Sequence, residues 1–163
     1  MRKLWLLFAL AVVLGVYHAI PFQTSDVASL LPVQTLLVDY AGGQVYLRAD
    51  GGLEGVGGTL AGAMDAMADE APGELFFGQV TRVVAGRGAA VVLLRAGEQS
   101  LLRLNTAVYQ AECAAGALAG TLESLEPYWQ ARESRGALTT LLSFCADGAP
   151  PQQLTEEGKA WTV

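Results

Sequence analysis

The order of apolar and polar positions divides the chain into three parts. Residues 4–20 form a run without a charged side chain, and a long segment follows in which short apolar stretches alternate with glycine- or proline-containing breaks. The last residues are mostly polar. The pattern predicts a membrane anchor or signal segment over residues 1–22, an α+β domain over residues 23–150 and a polar tail over residues 151–163.

The first half of the domain predicts a β-hairpin and a helix. Two apolar segments, 33–38 and 44–50, flank a Gly-Gly pair, which is typical of two antiparallel strands joined by a tight turn. A glycine-rich loop follows over residues 51–58. Thr59 then has the chemistry of a helix N-cap. The helix is expected to continue to residue 69, and its apolar stripe comprises Leu60, Ala63, Met64 and Met67.

The second half predicts two further strands and three further helices. The strands are expected over residues 75–84, weakened at Gly78, and 104–111. Residues 89–102 fit a strand or a helix, and we favour the helix. The other two helices are expected over residues 115–125, closed by Pro127-Tyr128-Trp129, and over residues 137–146.

These elements predict a domain of the α+β class, in which helices and strands are mixed along the chain. About four strands form a small mixed sheet packed with three or four helices, and one N-terminal transmembrane helix precedes them. The helix between the hairpin and the next strand makes a crossover, so part of the sheet is expected to be parallel.

The N-terminal run reads as an uncleaved membrane anchor, with a cleaved secretory signal as the alternative. Arg2 and Lys3 precede the run and place the N-terminus in the cytoplasm, with the domain outside the cytoplasmic membrane. Cleavage after Ala19 would put bulky Tyr17 at the −3 position, which disfavours a cleaved signal. The side chains expected in the bilayer are Leu4, Trp5, Leu6, Leu7, Phe8, Val12, Val13, Leu14, Val16 and Ile20.

Charge narrows the possible partners. The chain of 163 residues carries 16 acidic and 10 basic side chains, a formal net charge of −6. Without the two basic residues ahead of the apolar run, the net charge is −8. A nucleic-acid-binding protein needs a basic face, so this class is disfavoured. An acidic domain is also repelled by anionic lipid head groups, so only the anchor is expected to touch the bilayer.

Few residues offer catalytic or metal-binding chemistry. The single histidine, His18, belongs to the apolar run, so no histidine-based catalytic or metal site is expected in the domain. Cys113 and Cys145 have no metal-ligand spacing and are interpreted as small buried side chains, although a disulfide is possible outside the cytoplasm. Residues 55–60 only begin like a dinucleotide-binding motif, and no P-loop lysine follows. We therefore predict no cofactor, no metal and no enzymatic activity.

Two alternatives stay open beside a non-enzymatic binding protein. A hydrolase acting on cell-wall glycans would use carboxylates from the set Asp65, Asp69, Glu70, Glu123 and Glu126. A small-ligand module would place its pocket beside the loop 51–59. For a binding protein, Tyr128 and Trp129 are the candidate residues for an exposed partner contact.

The order of these features resembles the N-terminal domain of the Ger(x)C family, the C subunits of spore germination receptors. The stretches that carry the resemblance are residues 25–39, 58–64, 74–86, 103–109 and 138–144. Two features depart from the family pattern: no cysteine follows the apolar run, and the family's further C-terminal domain is missing. The resemblance implies a short, helix-anchored relative that is not an enzyme. It also implies membrane subunits of a germinant receptor as partners and the spore inner membrane as location.

Overall fold

A computed structural model describes the domain and confirms the mixed α+β class, with eight strands and four α-helices in the described residues. The predicted anchor lies outside them. The described residues are 30–112, 114–116, 122–134, 136 and 138–154. The strands are β1 (Leu30–Pro32), β2 (Thr35–Ala41), β3 (Gln44–Ala49), β4 (Glu54–Gly57), β5 (Glu74–Phe76), β6 (Arg82–Ala85), β7 (Ala107–Ala111) and β8 (Gln152–Leu154). The helices are α1 (Leu60–Glu70), α2 (Ala90–Glu98), α3 (Leu122–Glu133) and α4 (Leu141–Asp147).

The predicted hairpin is confirmed by β2 and β3. The two strands pair antiparallel and are joined by Gly42 and Gly43, whose φ angles are +58° and +79°. A two-residue hairpin loop with two positive φ angles matches the right-handed twist of its strands, and glycine adopts such angles without strain. The Gly-Gly pair therefore fixes the turn and, with it, the pairing register.

Helix α1 also forms as predicted. The Thr59 side chain accepts a hydrogen bond from the Gly62 backbone N–H at 3.1 Å, which satisfies one of the free donors of the first turn. The whole predicted apolar stripe of this helix is buried. At the other end, the helix stops at Glu70, two residues before Pro72.

The main sheet has six strands in the order β4-β3-β2-β6-β7-β8. Its first three strands are antiparallel, whereas β2, β6, β7 and β8 run parallel to one another. The predicted parallel crossover is thus confirmed between β2 and β6. Strands β1 and β5 form a separate two-stranded parallel sheet, which ties the beginning of the domain to the segment after α1.

The two faces of the main sheet are covered unequally. Helices α1, α2 and α4 pack on the first face, and alternate residues of β2, β3, β6 and β7 complete that core. On the second face, α3 packs against β6, β7 and β8, and Leu37 of β2 belongs to the same core. Among the described residues no helix covers β3 and β4 on this second face, so this edge of the sheet is left without a helical layer there.

Several predicted boundaries were wrong. The strand predicted over residues 75–84 is divided into β5, a short 3-10 helix at Phe77–Gln79 and β6. A Cβ at Gly78 would lie 2.7 Å from the Phe76 ring, so the chain bends tightly at the predicted weak point. Residues 90–98 are helical, as favoured, and β7 and α4 begin later than expected.

Pro127 does not end a helix, contrary to the prediction. It lies within α3, which runs from Leu122 to Glu133. A proline inside a helix removes one backbone donor, and packing of the helix on the sheet offsets that loss. The polar tail is also not free of structure, because Gln152–Leu154 forms β8 beside β7.

Candidate functional site

The second face of β3 and β4, which no helix of the described residues covers, is the first candidate site. We call it the open face. Tyr46 and Val56 lie directly opposite each other on β3 and β4 and are 44% and 48% exposed. Arg48 and Glu54 form the next pair of these two strands on the same face and are joined by a salt bridge. The open face therefore carries an apolar pair and an ion pair side by side at the sheet edge.

Asp39 closes one side of the open face. Its two carboxylate oxygens accept hydrogen bonds from the backbone N–H groups of Ala115 and Gly116 at 2.7 and 2.8 Å. This contact ties the loop after β7 to the end of β2. Gly86 lies beside it at the end of β6, and a Cβ there would come within 1.9 Å of an Asp39 oxygen. Both oxygens are thus used in a structural joint.

A groove of about 390 Å³ runs over the open face. Arg87, in the loop after β6, lines it together with residues of β2, β3 and β4. The Arg87 side chain is exposed and has no ion pair within the described part of the chain. The groove thus combines apolar side chains with one free positive charge, at the end of the sheet where β2 and β6 terminate.

Arg82 on β6 is the center of a polar cluster under α3. It is 7% exposed, its Nε donates to Glu133 at 2.7 Å, and its Nη1 donates to Glu126 at 2.8 Å. The guanidinium also lies over the Trp129 ring, 4.9 Å from the ring centroid. Burial lowers the pKa of Arg82, but its hydrogen bonds and ion pairs with Glu133 and Glu126 outweigh this and raise it. The cluster fastens α3 to the sheet.

The same cluster corrects one predicted site. Trp129 is 1% exposed and packs between Arg82 and Tyr109, so it is a core residue and not an exposed contact point. The side chain of Tyr128 lies outside the described residues. The signal for burial was the spacing of Glu126, Trp129 and Glu133, which places all three on one face of a helix once Pro127 is allowed inside it.

A second cavity lies between α1 and α2, on the first face. We call it the α1–α2 cavity. Its volume is about 150 Å³, and Gly58 and Thr59 form one wall. This is the position beside the glycine-rich loop that the small-ligand alternative required. The other lining residues are Tyr40, Val45, Leu60, Val91, Val92, Arg95, Ala96 and Gln99.

The structure does not bring the candidate carboxylates together. Asp65, Asp69 and Glu70 are exposed on α1, on the first face of the sheet. Glu126 lies on α3, on the second face, and is bound to Arg82. The Glu123 side chain lies outside the described residues. The described members of the set therefore share no cleft, which a glycan hydrolase would need.

The described residues also contain no group of three or more histidine, cysteine or acidic side chains placed to hold a metal ion. Cys145 is half-buried, and its Sγ lies 3.9 Å from the backbone oxygen of Leu93. Its sulfur lies close to α2, so that a Cβ at Gly97 would approach it to 2.5 Å. Cys113 lies outside the described residues.

The predicted membrane anchor also falls outside the described residues. None of the described helices has both the length and the hydropathy that a bilayer span requires. The apolar side chains predicted for the bilayer, from Leu4 to Ile20, all precede Leu30, where the description begins.

Comparisons with known proteins add no relative. No protein-family model, no curated protein and no solved structure matches the chain.

Proposed function

We propose that this chain is a non-enzymatic, membrane-anchored extracytoplasmic protein that acts by binding a membrane-protein partner through the open face. The observation that carries the proposal is the second face of β3 and β4, which no helix among the described residues covers. On this face α3 packs on β6, β7 and β8 and reaches Leu37 of β2, but it does not extend over β3 and β4. A partner helix beside α3 would complete the layer.

The open face has the composition of a contact surface. Tyr46 offers a large apolar ring with a polar end, and Val56 lies next to it. Contiguous exposed apolar side chains with a polar rim are typical of protein interaction sites. Arg87 at the rim would pair with an acidic side chain of the partner. Such a charge pair contributes more to the orientation of the partner than to the binding affinity.

The resemblance to the Ger(x)C family supplies the identity of the partner in this proposal. It favours membrane subunits of a germinant receptor, and it places the chain at the inner membrane of the spore. The apolar run supports the location, since it would hold the acidic domain beside the outer surface of the membrane.

Site-specific photocrosslinking tests the surface. A photoreactive amino acid replaces Val56 in the host cell, and the matched control replaces Leu142, which is similarly exposed but lies on α4. We expect a crosslink to an integral membrane protein from position 56 and none from position 142. Equal products from both positions, or none from position 56, would reject the open face as the partner surface.

Two further measurements separate the parts of the proposal. Recovery of the protein in the soluble secreted fraction, rather than with membranes, would contradict the proposed membrane anchor. Normal spore formation and germination after deletion of the gene would contradict the proposed role in germination. This result would not contradict the proposal that the protein binds a partner. Identification of the crosslinked protein as a receptor subunit would support both.

A further inference from the structure

We propose that the α1–α2 cavity binds a small organic carboxylate that has a single ring or a short branched carbon body. The site is separate from the open face, because it lies on the first face of the sheet, where α1 and α2 pack. Ligand binding there is therefore an additional property, independent of the partner-binding proposal.

The interior of the cavity is apolar. Val45, Leu60, Val92 and Ala96 form its floor, and each is less than a tenth exposed. A volume of about 150 Å³ is roughly the size that holds one benzene-sized ring in a protein interior. A carbon body of six or seven atoms would therefore fill it, whereas a larger ring system would not enter.

The mouth of the cavity is polar and has one sign of charge. Among the described residues that line it, Arg95 is the only charged one, and Tyr40 and Gln99 also carry polar groups. Within the described residues, none of these three side chains makes a hydrogen bond or ion pair. Their donors are available to a ligand, and a guanidinium is the side chain best suited to a carboxylate.

The arrangement separates the two ends of such a ligand. The carboxylate would remain at the open mouth, where water and Arg95 stabilise its charge. The carbon body would occupy the floor and cover Val91 and Tyr40, which are 47% and 40% exposed at the rim. Burial of apolar surface supplies the attraction, and the charge selects the ligand class.

Arg95 also has a purely structural explanation, which the experiment must distinguish. It lies in the last turn of α2, where a positive charge interacts favourably with the helix dipole. That role predicts a change in stability on substitution but no change in the binding of a small anion.

The test is a titration of the full chain in detergent micelles, followed by methyl NMR of valine and leucine residues. The probes are benzoate, its neutral analogue benzamide, and acetate, which has the charge without the ring. We expect saturable shifts at Val92 and Leu60 with benzoate, and binding weaker by about tenfold or more with either of the other two. Arg95→Gln should lower benzoate affinity about tenfold and leave benzamide unchanged.

Arg103→Gln is the matched control, since Arg103 is an exposed arginine outside the cavity. It should leave all three affinities unchanged. The proposal is overturned if benzoate produces no saturable shift at cavity methyl groups, if benzamide binds as well as benzoate, or if the two arginine variants behave alike. None of these results bears on crosslinking from Val56, so each proposal fails separately.

Discussion

Replacement of Arg82 by methionine should loosen the attachment of α3 to the sheet. The substitution keeps an unbranched apolar side chain but removes the hydrogen bonds to Glu126 and Glu133 and the contact over Trp129. Loss of one partner of a buried ion pair costs about 3–5 kcal/mol. Here both carboxylates are more than a third exposed, 42% and 36%, so water can solvate them after the arginine is lost. We therefore expect about 2–3 kcal/mol, of which the cation–π contact contributes about 1 kcal/mol.

The assay is urea unfolding of the full chain in detergent micelles, monitored by far-ultraviolet circular dichroism. Glu126→Gln and Glu133→Gln should each cost about 1 kcal/mol, because each leaves the other carboxylate bound to Arg82. In a double-mutant cycle, Arg82→Met should make Glu133→Gln nearly neutral, since the two side chains interact directly. Arg103→Met serves as the control and should change the unfolding free energy by less than about 0.5 kcal/mol. The reasoning is refuted if Arg82→Met and Arg103→Met have the same effect, or if the cycle is additive.

Four further outcomes follow from the same structure. Because the pKa of Arg82 is raised, its contribution to the free energy of unfolding is complete at neutral pH and is lost only as the pH rises through that pKa. The stability difference between wild type and Arg82→Met should therefore be constant from pH 7 to pH 10. Asp39→Asn should cost about 1–3 kcal/mol and speed amide exchange in the loop after β7, which hydrogen–deuterium exchange measures. Gly86→Ala should lower the free energy of unfolding in urea by about 1–3 kcal/mol, because the added methyl group would collide with the Asp39 carboxylate. Gly51→Ala is the control and should be nearly neutral, because the space around Gly51 is open. Thr140→Ala removes the capping box of α4 and should lower the urea midpoint by an amount equivalent to about 1 kcal/mol.

Elements defined by local signals were predictable from the sequence. The Gly-Gly turn, the Thr59 cap and the apolar stripe of α1 each depend on residues within one or two turns of chain, and all three form as expected. The parallel pairing of β2 and β6 followed from the crossover between them.

Elements that depend on distant partners were not predictable. β8 has two glutamines and one leucine, which give no strand signal, and it forms because β7 offers a free edge and Leu154 becomes fully buried. α3 continues past Pro127 because Trp129 and two glutamates meet Arg82, a residue far away in sequence. Tertiary contacts of this kind override local propensity.

The candidate sites follow the same division. The small-ligand alternative named the position beside the glycine-rich loop, but the volume of the cavity and the place of Arg95 in its lining depend on how α2 packs. The open face could not be expected, since it depends on α3 packing on the parallel strands and not on β3 and β4. Trp129 was misassigned because Pro127 was taken as the end of a helix, which hid the helical spacing of Trp129 with Glu126 and Glu133.

The joint at Asp39 has a consequence for the order of folding. Its hydrogen bonds span 76 and 77 residues of chain, while the hairpin beside it closes through two glycines. Closure of long loops costs more entropy and slows the search for contacts. The antiparallel half of the sheet can therefore form early from neighbouring segments, and the parallel half must be added later. Amides of β2 and β3 should gain protection in refolding before those of the loop that Asp39 holds.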